Sequence, residues 1–397
     1  MKILHTSDWH LGRTLHGENL HEYQREFQDF LLAKVRETGA HALVIAGDIY
    51  DRSVPPVEAV ELLHESLAAL AEETTVILTP GNHDSAVRLG FGAKLMRPGI
   101  HILADVEGIE HPVSVADEHG EVLFFGLPFL DPDLARYSLA PKGGDPLPRT
   151  HEDVTVQAMD RVRAKLEALG HPRSVVLAHT FVAGGDGSDS ERDLSVGGVA
   201  SVPGSVFAGV DYVALGHLHG CQNMSALVPG ERPVAWYSGS PLAFSFSERH
   251  HTKAVLLVEM DSSGAVEVER IPTPVRRRLI ELDGSLKEIL DSAPNHSEDW
   301  IHAIVREETR PAHLQQVLSA ALPHLLFTEF HSTREAGSSA APVVTREASP
   351  AEVISEFFDY VTGAEPNPAQ RDIIEQVLAD ARARADLTES HAQRKAS

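Results

Sequence analysis

Five short apolar runs punctuate the first 220 residues, and each stops at a polar cluster: "KILHTSDWH" (2–10), "HALVIAGDIYD" (41–51), "TVILTPGNHD" (75–84), "SVVLAHT" (174–180) and "YVALGHLH" (212–219). Their shortness and their content of Val and Ile predict buried strands. Between them apolar residues recur at helical spacing. Tyr23, Phe27, Phe30, Leu31 and Val35 form one stripe, and Val57, Val60, Leu63, Leu67 and Leu70 a second. Met159, Val162, Leu166 and Leu169 form a third. Strands alternating with helices predict an α/β domain. Farther on, "VAWYSGSPLAFSF", "KAVLLVEM" and "AVEVERI" predict strands joined by short turns, closing a large domain at residue 275.

The pattern then changes. Residues 276–334 predict a small second domain, with a strand at "WIHAIV" and a helix around "PAHLQQVLSAAL". Small and polar residues over 335–348 predict a flexible linker. Two helices follow, over 349–385, each with its own start signal. Ser349, Pro350 and Glu352 have the spacing of a capping box with Pro at the first helical position, and Asn367, Pro368 and Gln370 repeat it. The first helix carries an apolar stripe of Ile354, Phe357, Phe358 and Val361; the second carries Ile373, Ile374, Val377, Leu378 and Ala381. Such a pair behind a flexible linker is suited to a protein partner, or to packing back on its own domain. Residues 386–397 read as a disordered tail.

Composition narrows the functions available. The 34 Lys and Arg residues stand against 58 Asp and Glu, a net charge of −24. Coating nucleic acid by bulk electrostatics needs the opposite sign, because phosphates are neutralised by Lys and Arg. A bound cation can still supply strong local positive charge. The single cysteine, Cys221, excludes an intramolecular disulfide and a cysteine-built zinc site. No apolar run approaches the ~18 residues needed to span a bilayer, and "MKILHTSDWH" lacks the apolar core of a signal peptide. The expected compartment is the cytoplasm.

The polar clusters carry the chemistry. In order they hold Asp8 and His10, then Asp48 and Asp51, then Asn82, His83 and Asp84, then His179, and last His217 and His219. In an open α/β sheet the carboxyl ends of the strands share one edge, where ligands bind. That edge would gather residues more than two hundred positions apart. Two carboxylates, an amide oxygen and four imidazoles suit a pair of divalent cations such as manganese, iron or zinc. Taken singly, each cluster has an ordinary explanation as a turn or a buried histidine; the five in succession do not. Two such ions leave a surplus of positive charge, which a phosphate ester can use and a neutral substrate cannot.

"SDWH", "GDIYD", "GNHD", "AHT" and "GHLH" resemble the ordered signature blocks of the calcineurin-like metallophosphoesterases. Within them, "DWHLGRTLHG" (8–17), "SERDLSVGG" (190–198), "YSGSPLAFSFSE" (237–248) and the final helical pair resemble the bacterial SbcD family of nuclease subunits. The resemblance covers about residues 1–385 and is weakest over 276–348. It implies a four-layer α-β-β-α sandwich over 1–275, a small α/β cap over 276–334 facing DNA, and C-terminal helices over 349–385 that bind an SbcC-type ATPase. It implies two divalent cations, manganese first, with iron or zinc as alternatives. Asp8, His10, Asp48 and His219 would hold one, and Asp48, Asn82, His179 and His217 the other. His83 would face the scissile phosphate without binding metal, and the Asp51 carboxylate would orient it. Separate roles for His217 and His219 require a turn directly after Gly216. A homodimer through helices of the first domain is implied as well.

The activity implied is a metal-dependent DNA nuclease, exonucleolytic on double strands and endonucleolytic on single strands and hairpins, serving DNA repair and recombination. Arg276, Arg277 and Arg278 are candidate contacts to DNA phosphates. "AGGDGSDSER" (183–192) reads as a mobile loop on the substrate side. A phosphatase or cyclic-nucleotide phosphodiesterase of the same superfamily is the alternative, although protein phosphatases typically show "GNHE" where this chain has "GNHD". A non-catalytic scaffold is disfavoured, because every expected ligand is present.

Overall fold

The computed structural model describes residues 1–191, 201–228, 230, 233–333, 349–362 and 365–395, with side chains described as far as 359 and over 365–381 in the last two segments. Along the chain come β1 (Lys2–Thr6), α1 (His21–Thr38), β2 (Ala42–Ala46), α2 (Val57–Leu70), β3 (Thr75–Thr79) and β4 (Ile100–Ile102). The four strands lie side by side and parallel in the order β1-β2-β3-β4, with Ile3 opposite Ala42. A second sheet is built from β5 (Val113–Asp117), β6 (Gly120–Leu127), β7 (Arg173–His179), β8 (Tyr212–Gly216), β9 (Gln222–Asn223) and β10 (Val234–Tyr237), with α3 (His151–Ala168) between β6 and β7. Its order is β9-β10-β8-β7-β6-β5, and β6, β7, β8 and β10 run parallel. The chain then returns to the first sheet through β11 (Ala254–Met260), antiparallel to β1, and β12 (Val266–Pro272) on the outer edge.

The central strands of each sheet are apolar on both faces, which is why they read as continuous apolar runs. In β2, Ala42 and Val44 face the space between the sheets, while Leu43 and Ile45 face α1 and α2. In β7, Val175 and Leu177 meet the first sheet's residues, while Val176 and Ala178 face α3. Two sheets packed face to face with helices outside give the four-layer α-β-β-α sandwich. Two helical stripes differ in part from expectation. On α2, Leu63, Leu67 and Leu70 are buried with Ala59 and Leu62, but Val57 and Val60 point to solvent. Beyond α3, Leu169 is exposed. The helices bury only the face that the sheet covers, so apolar residues beyond that arc remain outside.

The sandwich unit runs to Ile280 and includes Glu298–Trp300. It extends past the boundary read at 275 because Arg276 pairs with Glu26 at 2.8 Å and the Trp300 ring packs 4.8 Å from Tyr23.

The second unit takes Glu281–Ser297 and the chain from Ile301. Most of a three-stranded sheet falls in it, made of β13 (Leu279–Gly284) from Glu281 on, β14 (Trp300–Glu307) from Ile301 on, and β15 (Leu325–Ser332), in that order. Helix α4 (Leu286–Ser292) opens with a full Ser285–Glu288 capping box, and α5 (Leu314–Ala321) buries Leu314 and Leu318. The expected linker, 335–348, lies outside the described residues.

Two helices complete the chain, α6 (Pro350–Thr362) and α7 (Pro368–Lys395). Both starts are capped reciprocally as the sequence predicts: Ser349 with Glu352 at 2.7 and 3.2 Å, Asn367 with Gln370 at 2.9 and 3.0 Å. Ile354, Phe357, Ile373 and Val377 are exposed, and Phe358, Ile374 and Leu378 half-buried. The side chain of Val361 lies outside the described residues. Helix α7 continues to Lys395 where the sequence reading has a disordered tail from 386. In that stretch Leu387, Glu389, Ala392, Gln393, Arg394 and Lys395 are good helix formers.

Candidate metal centre

The seven expected donors converge at one edge of the sandwich, past the carboxyl ends of parallel strands. Asp8 and His10 follow β1, Asp48 follows β2 and Asn82 follows β3; His179 ends β7, and His217 and His219 follow β8. The chain must turn sharply to present them. Asp8, His10, Asp48 and His217 hold φ values of 54°, 45°, 50° and 112°. L-residues adopt that region rarely, at about 1–3 kcal/mol each, and such strain gathers at functional sites. Glycines leave the room the turns need. A Cβ on Gly216 would lie 1.8 Å from the Ala46 carbonyl oxygen, and one on Gly81 2.1 Å from Asp48 Oδ1.

Asp48 stands at the centre. Its Oδ2 lies 3.5 Å from His179 Nε2, 3.6 Å from His10 Nε2 and 3.9 Å from His83 Nε2, while Oδ1 accepts the His83 amide at 2.8 Å. On one side, His10 Nε2 and His219 Nε2 approach to 3.1 Å. On the other, Asn82 Oδ1 lies 2.9 Å from His179 Nε2 and 3.2 Å from His217 Nδ1. Asp8 accepts the His217 amide and the Ser7 hydroxyl. His217 and His219 thus face different partners, and the left-handed turn at His217 separates them.

Burial sets the charge balance. Desolvation favours neutral carboxyls and neutral imidazoles, while opposite neighbours favour charge. Burial pushes the His217 imidazole down to about 3, helped by His179, and lowers His10 as well. Burial raises the Asp8 carboxyl to about 6, against the pull of His179 and His219. Burial also opposes charge on Asp48 and His179, yet their mutual attraction holds Asp48 well below the ordinary carboxylate range and carries His179 up to about 9.

The donor set fits divalent cations. Two imidazole nitrogens 3.1 Å apart, both inside the protein, need either a proton or a cation between them. Asp8, His10 and His219 offer three ligand atoms within 4.8 Å of one another, as do Asp8, Asp48 and His179, and His10, Asp48 and His83. These are ligands for borderline divalent ions.

Two expectations about neighbouring residues are corrected. Asp51 meets His83 through its main chain, whose carbonyl oxygen lies 2.7 Å from His83 Nδ1. Its carboxylate lies instead 3.5 Å from Arg13 and 3.7 Å from His10. The orienting contact therefore comes from the backbone, since the turn after β2 aims that carbonyl at the ring. The described part of the loop read as mobile, 183–191, is pinned at several points. Ser190 Oγ lies 2.6 Å from His219 Nδ1, Glu191 accepts the His219 amide at 2.8 Å, and Asp189 N donates to Ser247 Oγ at 3.1 Å. Gly and Ser content predicts flexibility only where side chains find no partners, and here they find them.

Several supporting roles are not assigned from the sequence, including that of Asp84, which is named there only as a member of its cluster. Asp84 accepts the amides of Ile49, Tyr50 and Gly81 at 2.9–3.0 Å, joining the turns after β2 and β3. Burial and the nearby Asp48 raise its carboxyl to about 7 in spite of these donors. Glu248 and Lys253, both buried, pair beside His219. Burial would raise the Glu248 carboxyl, but Lys253 and His219 pull it well below the ordinary range. The Phe244 ring packs on His10 and His219 at 5.2 and 5.5 Å, and the Arg13 guanidinium lies 4.9 Å from its centre. Ser190, Glu191, Phe244 and Glu248 all lie in the two blocks that resemble the nuclease subunits, which was the available signal.

Arg276, Arg277 and Arg278 are not brought into this cluster. They pair with Glu26 at 2.8 Å, with Glu298 at 3.3 Å and with Asp299 at 2.9 Å.

The profile of the calcineurin-like phosphoesterases matches residues 1–221, and that of the Type 5 capsule protein repressor C-terminal domain matches 275–362. The SbcD subunit of nuclease SbcCD from Staphylococcus saprophyticus is 30% identical over 391 residues, covering 95% of this chain and 98% of its own. The corresponding SbcCD subunit of Bacillus subtilis (strain 168) is 38% identical over 268 residues, 65% of this chain and 66% of its own. Among solved structures, TT1561 of Thermus thermophilus aligns with 68% of this chain and 98% of its own at 14% identity, with a TM-score of 0.38.

Proposed function

From a chain that belongs to the calcineurin-like phosphoesterases and, within them, to the SbcD family, we propose a manganese-dependent DNA nuclease subunit acting with an SbcC-type ATPase. The observation that carries this reading is the seven-donor cluster around Asp48 in a chain of net charge −24. Asp8, His10, Asp48 and His219 would hold one cation, and Asp48, Asn82, His179 and His217 a second. Bound there, divalent cations supply Lewis acidity and the positive charge that a phosphodiester requires.

The chain's own residues do the rest. A carbonyl oxygen can only accept, so His83 Nδ1 carries its hydrogen toward Asp51 O, 2.7 Å away. Nε2 is left on the side of the donors, 3.9 Å from Asp48 Oδ2, placed to hold or give a proton at a leaving oxygen. The His83 main-chain N–H donates to Asp48 and the ring hydrogen to Asp51 O, so the ring keeps that direction. The strained turns hold the donors in place before any ligand arrives, so little reorganisation is needed on binding.

Partners follow from exposed apolar surface. Val54, Val57, Val60, Val87, Phe91 and Leu95 are all exposed, and Arg88 ties the two segments that carry them by reaching the Ser53 carbonyl at 2.6 Å. An apolar patch of that kind suits a second copy of the chain. Ile354, Phe357, Phe358, Val361, Ile374 and Leu378 would bind the base of the ATPase. The arginine triplet is a weak DNA contact in this reading, because each guanidinium already has an acidic partner. No helix among the described residues is long and apolar enough to cross a membrane.

The test is Mn²⁺-dependent cleavage of linear and hairpin DNA by the chain alone and with an SbcC-type partner, with H83A as control. Cleavage of small phosphodiesters but never DNA, even with partner and ATP, selects the phosphodiesterase alternative. Deletion after residue 348 should abolish partner co-purification and leave cation binding intact. Survival of co-purification removes the helical pair from the interface.

A further inference from the structure

His219 is held from behind by side chains that come from three separate stretches of sequence. Its Nδ1 lies 2.6 Å from Ser190 Oγ, and that hydroxyl donates to Glu248 Oε1, itself 3.4 Å from Nδ1. With its own hydrogen committed to the carboxylate, the Ser190 oxygen accepts from Nδ1. The chain Nδ1–H to hydroxyl to carboxylate therefore fixes the tautomer and leaves the Nε2 lone pair facing His10. Glu248 is buried, and Lys253 supplies its counter-charge. Lys253 Nζ also donates to the His219 carbonyl and to Ser240 Oγ, both at 2.8 Å. Glu191 accepts the His219 amide with one oxygen and the Ser188 amide, at 2.6 Å, with the other. Arg13 donates to the Ser190 carbonyl at 3.0 Å, so the loop is also tied to the segment that carries His10.

The opposite half is braced differently. His179 Nδ1 meets the Ala46 carbonyl at 2.9 Å, a main-chain contact between neighbouring elements of the sandwich. A backbone carbonyl in a packed strand cannot be withdrawn by a side-chain change. The His219 brace can.

We propose that Ser190 and the Glu248–Lys253 pair are positioning residues for His219, so that loop 183–191 sets the affinity of one divalent-cation site and leaves the other alone. This rests on the metal-centre reading above. Partners that orient a ligating histidine commonly govern metal affinity by about 10–100-fold. Nothing in the proposal requires Ser190 or Glu248 to touch substrate.

The experiment is calorimetric titration of the full chain with Mn²⁺, with thermal melting of each variant in parallel. Wild type should bind two ions. S190A and E248Q should weaken one binding event by about 10–100-fold and leave the other within about twofold. N82A, on the opposite half, should weaken the event that S190A spares. S190A keeps every charge in place, so it stays informative where E248Q, which strands Lys253, lowers the melting temperature. E248D should recover part of the loss, which a purely structural role for the carboxylate would not predict. Two unchanged events in S190A and E248Q, or an equal weakening of both, overturns the proposal and leaves the metal centre standing. Failure of wild type to bind Mn²⁺ overturns both.

Discussion

The two halves of the donor cluster present similar donors on different scaffolding. Around Asn82, His179 and His217 the support is main chain: the Ala46 carbonyl behind His179, the His217 turn, and glycines that let neighbouring strands approach. Around His10 and His219 the support is side chain, from Ser190, Glu191, Glu248, Lys253 and Arg13. Asp48 belongs to both. The lesson is that similar donor sets, imidazoles with one carboxylate or one amide, can be pre-organised at two levels. One level is as durable as the fold, and the other is adjustable residue by residue.

The strongest way to break the comparison is at the shared carboxylate. D48A should abolish both Mn²⁺ binding events and lower nuclease activity on the order of 10³-fold or more, since several kcal/mol of charge stabilisation go with the cations. Retention of either event in calorimetry would mean that the halves are separate sites, not one bridged centre. The next largest effect tests a residue placed in neither half. H83A should lower turnover by about 10²–10⁴-fold with both binding events intact. His83 lies within ligand distance of His10 and Asp48, so loss of Mn²⁺ affinity would instead make it a ligand.

The smallest effect serves as a remote control. Asp117, at the end of β5, pairs inside the protein with Arg173, which holds its carboxyl well below the ordinary carboxylate range. A carboxyl lowered in the folded state contributes stability that is full above its unfolded pKa of about 4 and is lost as pH falls through the folded value. D117N should therefore lower stability at neutral pH by about 3 kcal/mol, flatten the acid limb of the stability curve, and leave both cation events unchanged. Altered Mn²⁺ binding in D117N would show that general loosening, rather than local bracing, controls the site.

Much of this was legible in one dimension. Apolar runs that lack alternation mark strands covered on both faces, so Ala42–Ala46 and Arg173–His179 could be placed before any coordinates. The donors could be found because each sits within a few residues of such a run. The capping boxes at Ser349 and Asn367 are local by nature and formed as read. What could not be read was direction and partner. Asp51 has the right carboxylate in the right turn, yet the backbone carbonyl reaches His83. Val57 and Val60 continue an apolar stripe that the sheet does not cover. Ser190 and Glu248 are ordinary polar residues until the fold sets them 2.6 and 3.4 Å from one imidazole.

Sequence by itself determined the element types, the family and the inventory of donors, because hydrophobic period, capping and ligand chemistry act over a few residues. Tertiary structure alone supplied the turn that the separate roles of His217 and His219 require, and decided that His219 leans on a loop from elsewhere. Those outcomes depend on a left-handed turn at His217 and on contacts across nearly thirty residues or more, and no short-range pattern records either.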